Sequence, residues 1–311
     1  MKHGIVIKST GSWYRVRTDE GLDLECKVKG NFRLKEIRST NPVAVGDGVV
    51  VSEREGETAF ITDIDERKNY IIRKASNLSK QSHILAANID LAVLVVTVAR
   101  PVTDTTFIDR FLASAEAYNV PVLLVFNKID QLSKDERQTL DILLYIYKEA
   151  GYETICTSAI SMEGVESLRQ MLIGKISLLA GNSGVGKSTL LNLLIPSAHA
   201  KTAEISETHE MGMHTTTYSE LYPFDNGEQG GIIDIPGIKG FGTFDMEREE
   251  ISHYFREIFH ISAGCRFGNC THTNEPGCAV LEALENHRLS PSRYASYLSM
   301  LEDKDEGKYR S

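Results

Sequence analysis

The sequence predicts an α/β protein with a small β-barrel before its central domain and a short helical module after it. Three observations predict this architecture. Short apolar stretches fill residues 1–68, buried aliphatic runs alternate with amphipathic stretches over 69–245, and residues 246–311 are polar, helix-prone and rich in cysteine. With 311 residues, 41% of them hydrophobic, the chain has enough apolar material for three separate cores.

The composition excludes several classes of protein. Acidic residues outnumber basic residues by 43 to 34, and the net charge of −9 excludes a generally basic nucleic-acid coat. No apolar run approaches the roughly 20 residues that cross a bilayer, and the N-terminus has no long apolar segment of the kind found in signal peptides. We expect a cytoplasmic protein that has no membrane partner and acts as a monomer.

The first 68 residues predict five short strands and no helix. Glycine and aspartate turn signals separate the apolar stretches, which lie at 5–7, 13–16, 22–28, 49–51 and 60–64. Five strands in a segment of this size predict a barrel of the OB type, although the pattern alone does not separate it from an SH3-like barrel. The segment is also locally basic, and we expect it to bind RNA through Lys2, Lys8, Arg15, Arg17, Lys27, Lys29, Arg33, Lys35 and Arg38.

Residues 69–245 predict a doubly wound α/β domain. Dense aliphatic runs of the kind found in parallel strands covered on both faces lie at 89–98, 122–126, 154–156, 176–180 and 232–235. Amphipathic stretches that predict helices between them lie at 107–118, 134–150 and 165–172. Such domains bind ligands at the carboxyl ends of their strands, so the loops that follow these runs are the candidate site.

A phosphate-binding loop follows one of these strands and opens a helix. Its letters, GNSGVGKS, match G-x-x-x-x-G-K-[ST], a pattern whose backbone N–H groups point at phosphate oxygens. Lys187 should neutralise the β and γ phosphates, and Ser188 should ligate Mg²⁺. The predicted phosphate-binding residues are Gly181, Asn182, Ser183, Gly184, Val185, Gly186, Lys187, Ser188 and Thr189.

The tetrapeptide NKID after an earlier strand predicts that the base is guanine. The Asp130 carboxylate can accept hydrogen bonds from N1–H and the exocyclic amine of guanine, while Asn127 braces the loop and the Lys128 stem lies over the ring. Adenine would leave the carboxylate unpaired, at a cost of about 1 to 3 kcal/mol or more. A second short loop, with Ser158 and Ala159, resembles one that supports the base through backbone amides. The predicted ligands are GTP and GDP.

Two further segments have the features of nucleotide-sensing switches. Asp234 and Gly237 fit D-x-x-G, in which the carboxylate holds Mg²⁺ through water and the glycine N–H senses the γ-phosphate. In the polar segment 211–217, one threonine should ligate Mg²⁺ in the triphosphate state; we favour Thr216 and leave its neighbours open. The predicted catalytic residues are Lys187, Thr216, Asp234 and Gly237.

The motifs stand in an unusual order, because base recognition precedes the phosphate loop. The same sheet can still form, since packing depends on which strands are neighbours and not on where the chain is cut. The sequence therefore predicts a circularly permuted GTPase domain. Ile238 occupies the position after D-x-x-G where a glutamine commonly orients the attacking water, so we expect slow hydrolysis by the protein alone.

Three cysteines and a histidine crowd a short segment of the C-terminal module. Cys265, Cys270, His272 and Cys278 offer three thiolates and one imidazole, a full tetrahedral set for Zn²⁺ with no open position for water. The surrounding residues are polar, so metal binding would supply the folding free energy of this segment. The sequence predicts one structural zinc ion.

The combination of motifs resembles the RsgA family, also called YjeQ, of GTPases that depend on the small ribosomal subunit. The barrel, NKID, TSA, GNSGVGKS, HTTT and DIPG in permuted order, and Cys-x4-Cys-x-His-x5-Cys together span nearly the whole chain. The resemblance implies hydrolysis of GTP stimulated by the small (30S) subunit and its rRNA, late in subunit assembly, in a bacterial cytoplasm. Two alternatives stay open: a permuted GTPase acting on the large subunit or another ribonucleoprotein, and a P-loop kinase of small molecules.

Overall fold

The first five strands close into a barrel. In this computed structural model, which describes residues 1–28, 42–52, 58–74, 82–200, 219–235 and 246–308, they are β1 Lys2–Ser9, β2 Tyr14–Thr18, β3 Asp23–Val28, β4 Gly48–Val51 and β5 Ala59–Ile64. The strand order is β1-β2-β3-β5-β4, with β4 paired back onto β1 and with β3 parallel to β5. This order is that of the OB barrel, which the pattern alone had left open against an SH3-like barrel.

Alternation of apolar and polar residues forms the barrel. In β2, Tyr14 and Val16 are buried while Arg15 between them is exposed, so one face of the strand packs inward. Cys26 in β3 is fully buried in the same core, as expected for a small core residue.

Within the described residues, most cations of the predicted basic strip are paired with acidic side chains. Four of its cations form ion pairs with N–O distances of 2.5 to 2.9 Å: Lys2–Glu20, Lys8–Glu220, Arg15–Glu25 and Arg17–Asp23. The Lys27 ammonium lies 4.2 Å from the centre of the half-exposed Trp13 ring. Lys29, Arg33, Lys35 and Arg38 lie outside the described residues. The described part of the strip therefore offers less free positive charge than the composition indicated.

A hairpin follows the barrel, with β6 Tyr70–Lys74 antiparallel to β7 Ser82–Ala87. The α/β domain comes next; its strands are β8 Leu91–Val96, β9 Val122–Phe126, β10 Glu153–Cys156, β11 Ile176–Ala180, β12 Glu220–Pro223 and β13 Gly231–Asp234. Their order is β10-β9-β8-β11-β13-β12, and every neighbouring pair is parallel except β12 with β13. The sheet is thus the mostly parallel one that was predicted.

Helices cover both faces of this sheet. They are α1 Thr105–Ala117, α2 Lys134–Glu149, α3 Val165–Leu172 and α4 Lys187–Leu194, with short 3-10 turns at Ile129–Gln131, Pro196–Ala198 and Asp225–Gly227. Side chains of α1 and α2 pack in one core, and side chains of α3 and α4 pack in a second. All six residues of β8 are buried, as a strand covered on both faces requires.

Two elements were not predicted: the hairpin of β6 and β7, which forms a separate two-stranded sheet, and the strand β12 of the large sheet. The hairpin has no clean alternation of apolar and polar residues, and β12 is a four-residue strand with a single fully buried side chain, Leu221. β12 also pairs with β1 at Lys8 and Glu220, so the α/β sheet and the barrel form one sheet of eleven strands within the described residues. Strands of this length contain too few residues to show a clear alternation of apolar and polar side chains in the sequence.

The C-terminal module contains a 3-10 helix Arg248–Tyr254 and three α-helices, α5 Arg256–Ser262, α6 Ala279–Glu285 and α7 Pro291–Lys308. Pro291 begins α7, a position where its missing N–H costs nothing. The module has its own core, which Ala113 of α1 joins. None of the helices in the described ranges has both the length and the apolarity to cross a bilayer. The division at 68/69 and 245/246 stays a prediction.

Candidate nucleotide-binding site and metal centre

The phosphate loop, residues 181–188, leaves the carboxyl end of β11 and enters α4. Gly181, Gly184 and Gly186 have φ values of 139°, 81° and 97°, in the region that favours glycine. A Cβ on Gly186 would lie 2.5 Å from the Asn127 side-chain nitrogen. We call the loop that carries NKID, residues 127–130, the guanine loop. Glycine at 186 therefore also allows the phosphate loop and the guanine loop to approach each other closely.

Lys187 lies at the mouth of the phosphate loop. Its ammonium donates to the carbonyls of Gly181, at 2.9 Å, and Asn182, at 2.6 Å. Burial lowers the pKa of Lys187, while the nearby Asp234 carboxylate opposes that shift. Burial likewise raises the pKa of Asp234, and Lys187 opposes it. The paired charges are thus positioned where phosphate and a divalent cation would meet them.

The other predicted phosphate-loop residues occupy the expected places. Val185 is fully buried beneath the loop, and Ser183 is exposed at its tip. Ser188 and Thr189 form the first turn of α4. Thr216, Gly237 and Ile238 lie outside the described residues. Among the described residues, Ser188 and Asp234 are therefore the candidate Mg²⁺ ligands.

Asn127 ties three loops together. Its side-chain nitrogen donates to the Val185 carbonyl at 2.9 Å, and its oxygen accepts from the Thr157 hydroxyl at 3.0 Å. All three residues are buried, so these bonds are shielded from water. Sequence reasoning placed Thr157 beside the site but did not assign it this role.

Asp130 is exposed and oriented toward solvent by one neighbour. The buried Ser158 hydroxyl donates to one Asp130 carboxylate oxygen at 2.6 Å. The same hydroxyl oxygen accepts from the N–H groups of Ile160, at 3.2 Å, and Ser161, at 3.0 Å, in the loop that continues from Ala159. The carboxylate is therefore held by a side chain whose own position is set by backbone, while it stays accessible to a base.

The loop between β8 and α1, residues 97–104, also belongs to the site, and none of its residues was named among the predicted site residues. Its Arg100 carbonyl accepts from the Lys128 ammonium at 2.8 Å. Its Pro101 ring would lie 3.5 Å from a Cβ on Gly184. The strand order explains the position of this loop, because β8 lies between β9 and β11 and the loop that follows it lies between theirs. The signal in the sequence was the aliphatic run at 89–98, which predicts a loop at this edge of the sheet.

Cys265, Cys270, His272 and Cys278 converge as predicted. Their ligand atoms all lie within 4.8 Å of one another, and within the described residues this is the group of side chains suited to hold a metal. The Cys265 and Cys278 sulfurs are 4.0 Å apart, and the His272 Nδ1 is 3.5 Å from the Cys278 sulfur. Tetrahedral zinc with Zn–S bonds of about 2.3 Å places sulfurs about 3.8 Å apart, so the donor set fits zinc.

The loop that carries these ligands, residues 265–278, is held by groups that are not ligands. We call it the metal loop. The hydroxyls of Tyr294 and Tyr297 donate to the carbonyls of His272 and Thr271, each at 2.7 Å. The Glu275 carboxylate accepts from the Thr271 hydroxyl and backbone. Although burial opposes it, these hydrogen bonds lower the pKa of Glu275 to about 2. The sequence carried no signal for the two tyrosine contacts, which depend on how α7 packs.

Gly186→Ala is expected to weaken GDP binding by about tenfold or more. The added methyl group meets Asn127 at 2.5 Å and forces a residue with φ of 97° into a strained backbone, which costs about 1 to 2 kcal/mol on its own. Titration calorimetry measures the affinity. Gly174→Ala is the matched control, because Gly174 has φ of 79° and nothing lies within 4 Å of its added Cβ. Equal losses in both variants would contradict a specific clash at Gly186.

Comparison with known proteins agrees with this geometry. The family model for the RsgA GTPase matches residues 64–244, and that for the RsgA N-terminal domain matches residues 3–61. A relative from Bacteroides fragilis, named small ribosomal subunit biogenesis GTPase RsgA, is 63% identical over 308 residues and covers 99% of each chain. These matches exclude the alternative of a small-molecule kinase.

Two solved structures share the whole fold. The crystal structure of YjeQ from Thermotoga maritima is 35% identical, with a TM-score of 0.77, over 97% of this chain and 98% of that one. YloQ, described as a circularly permuted GTPase, is 28% identical, with a TM-score of 0.74, over 98% and 96%. The chain therefore belongs to the RsgA family of circularly permuted GTPases.

Proposed function

We propose that this protein is a GTP-hydrolysing switch in the late assembly of the small ribosomal subunit, and that it acts in the cytoplasm. The observation that carries the proposal is the relative from Bacteroides fragilis, which is aligned over 99% of both chains and is named for that process. The guanine loop and phosphate loop support the nucleotide part independently. In this proposal the barrel and the C-terminal module contact the rRNA, and the protein works as a monomer.

Contacts in the described residues support the roles proposed for Asp130 and Lys187. Asp130, held by Ser158, accepts the hydrogen bonds of the guanine edge. Lys187 exchanges its carbonyl contacts for β and γ phosphate oxygens. Ser188 and Asp234 hold Mg²⁺, which neutralises charge on the phosphates when bound. Thr216 and Gly237 complete the site in the triphosphate state.

The Cys3His group supplies the second cofactor of the proposal, one structural zinc ion. Three sulfurs and one imidazole nitrogen satisfy a tetrahedral ion fully, so the site has no position for a reacting water. His272 and Cys278 are both buried. The metal therefore stabilises the module and takes no part in hydrolysis.

Hydrolysis by the purified protein is expected to be slow, and small subunits are expected to accelerate it about tenfold or more. The reason is Ile238, which cannot orient a water molecule. The measurement is phosphate release from GTP with no subunit, with purified small subunits and with purified large subunits. Acceleration by large subunits alone would favour the alternative target, and no acceleration by either would overturn the proposal.

A further inference from the structure

A buried cluster of charges joins α1 to the C-terminal module and is not part of the nucleotide site. Its centre is Arg293 of α7, 1% exposed, which donates to Asp109 of α1 at 2.8 Å. The same guanidinium donates two hydrogen bonds, at 2.6 and 3.0 Å, to Glu257 of α5. The Asp109 side chain is fully buried. An arginine fork buried between two carboxylates from two other helices makes the docking of α7 an all-or-none event, because a released partner would leave a buried charge unpaired.

Helix α7 also holds the metal loop. Tyr294, the next residue after Arg293, donates to the carbonyl of the ligand His272, and Tyr297 donates to the carbonyl before it. His272 has a φ of 58°, which a residue other than glycine keeps only where its surroundings impose it. Neighbouring residues of one helix thus contact the metal loop on one side and α1 on the other.

Helix α1 in turn begins at the nucleotide site. Its N-cap, Asp104, ends the loop 97–104, whose Arg100 carbonyl accepts from Lys128 of the guanine loop. The same loop is braced by the Thr103 hydroxyl, which accepts from the Thr97 N–H at 3.0 Å. A displacement of α1 therefore reaches both Lys128 and the phosphate loop.

From this continuous set of contacts we propose that zinc binding at the Cys3His group and guanine nucleotide binding stabilise each other through α7 and α1. The inference rests on the proposed nucleotide site. The element with two states is α7, docked on α1 or released. In this proposal, zinc orders the metal loop, whose carbonyls at Thr271 and His272 then hold α7. Docked α7 in turn fixes the position of α1 and of the loop 97–104 that precedes α1. Thermodynamic linkage requires zinc to change the affinity for GDP by the same factor as GDP changes the affinity for zinc.

The test measures GDP affinity by calorimetry at constant Mg²⁺, on the zinc-loaded full chain and on the same chain after zinc-selective chelation. We expect chelation to weaken GDP binding by about fivefold or more. The reciprocal measurement follows zinc transfer to a chromophoric chelator, which saturating GDP should suppress. Equal GDP affinity in the two forms, or zinc transfer indifferent to GDP, would overturn the linkage. Failure of the zinc-loaded chain to bind GDP would instead overturn the nucleotide site itself.

Substitutions in α7 test whether the linkage between zinc and GDP runs through this helix. Arg293→Met should remove the dependence of GDP affinity on zinc, and Tyr294→Phe combined with Tyr297→Phe should reduce it without burying an unpaired charge. The matched control is Arg288→Met, since Arg288 is an exposed arginine of the same module in a 3.8 Å pair with Glu282. Linkage that persists in the tyrosine variant, or that is lost equally in the control, would overturn the route through α7.

Discussion

Asp130→Asn is expected to lower the affinity for GDP by more than about 100-fold. The carboxylate accepts two hydrogen bonds from the guanine edge, and bonds to a charged group contribute about 1.5 to 3 kcal/mol each. The variant keeps the shape of the side chain but presents an amide N–H₂ to the exocyclic amine of the base. Two donors then face each other, so the loss exceeds that of an ordinary hydrogen bond.

The same variant should gain affinity for xanthosine diphosphate, whose second carbon carries an oxygen that the amide can reach. Titration calorimetry with each nucleotide measures the loss of affinity for GDP and the gain of affinity for xanthosine diphosphate. Asp135→Asn is the matched control, because Asp135 is an exposed carboxylate in the first turn of α2, outside the guanine loop. Unchanged GDP affinity in Asp130→Asn would remove the basis for guanine recognition.

Cys270→Ser is expected to abolish stoichiometric zinc and to unfold the metal loop. Structural zinc contributes on the order of 10 kcal/mol to the folding of small metal-dependent units, and the loop has few buried apolar side chains to replace it. Elemental analysis reports the metal, and limited proteolysis reports whether 246–308 becomes accessible.

The control for this variant is Cys26→Ala, which removes a cysteine from the barrel core and should leave zinc content unchanged. Full zinc content in Cys270→Ser would contradict the assignment of Cys270 as a ligand. The barrel should stay folded in Cys270→Ser, because its core is separate from that of the C-terminal module.

Local patterns were enough to predict the strands and loops that make the nucleotide site. The run at 122–126 is the strand Val122–Phe126, and the motifs follow β9 and β11 as a parallel sheet requires. These signals can be recognised without knowledge of the tertiary structure, because the pattern of a strand and the spacing of a motif both involve residues that are close in sequence. The ligand set at 265–278 was predictable for the same reason.

Contacts between distant residues were not predictable. Arg293 and Asp109 are 184 positions apart, and nothing near either residue indicates the other. The charges of the barrel are a similar case, since composition counted Lys8 as free although Glu220, far along the chain, neutralises it. A pattern reports which face of an element is apolar, but the partner that meets a polar group depends on the assembled fold.

The pairing of β1 with β12 continues the sheet of the α/β domain into the barrel. β12 begins at Glu220, three residues after the segment 211–217, in which one threonine is expected to ligate Mg²⁺ in the triphosphate state. Ile7 of β1 and Val45 also pack in the larger core of the α/β sheet, so side chains as well as this strand pair join the barrel to the sheet. A displacement of β12 would therefore carry the barrel with it, and a large partner bound to the barrel would experience that movement.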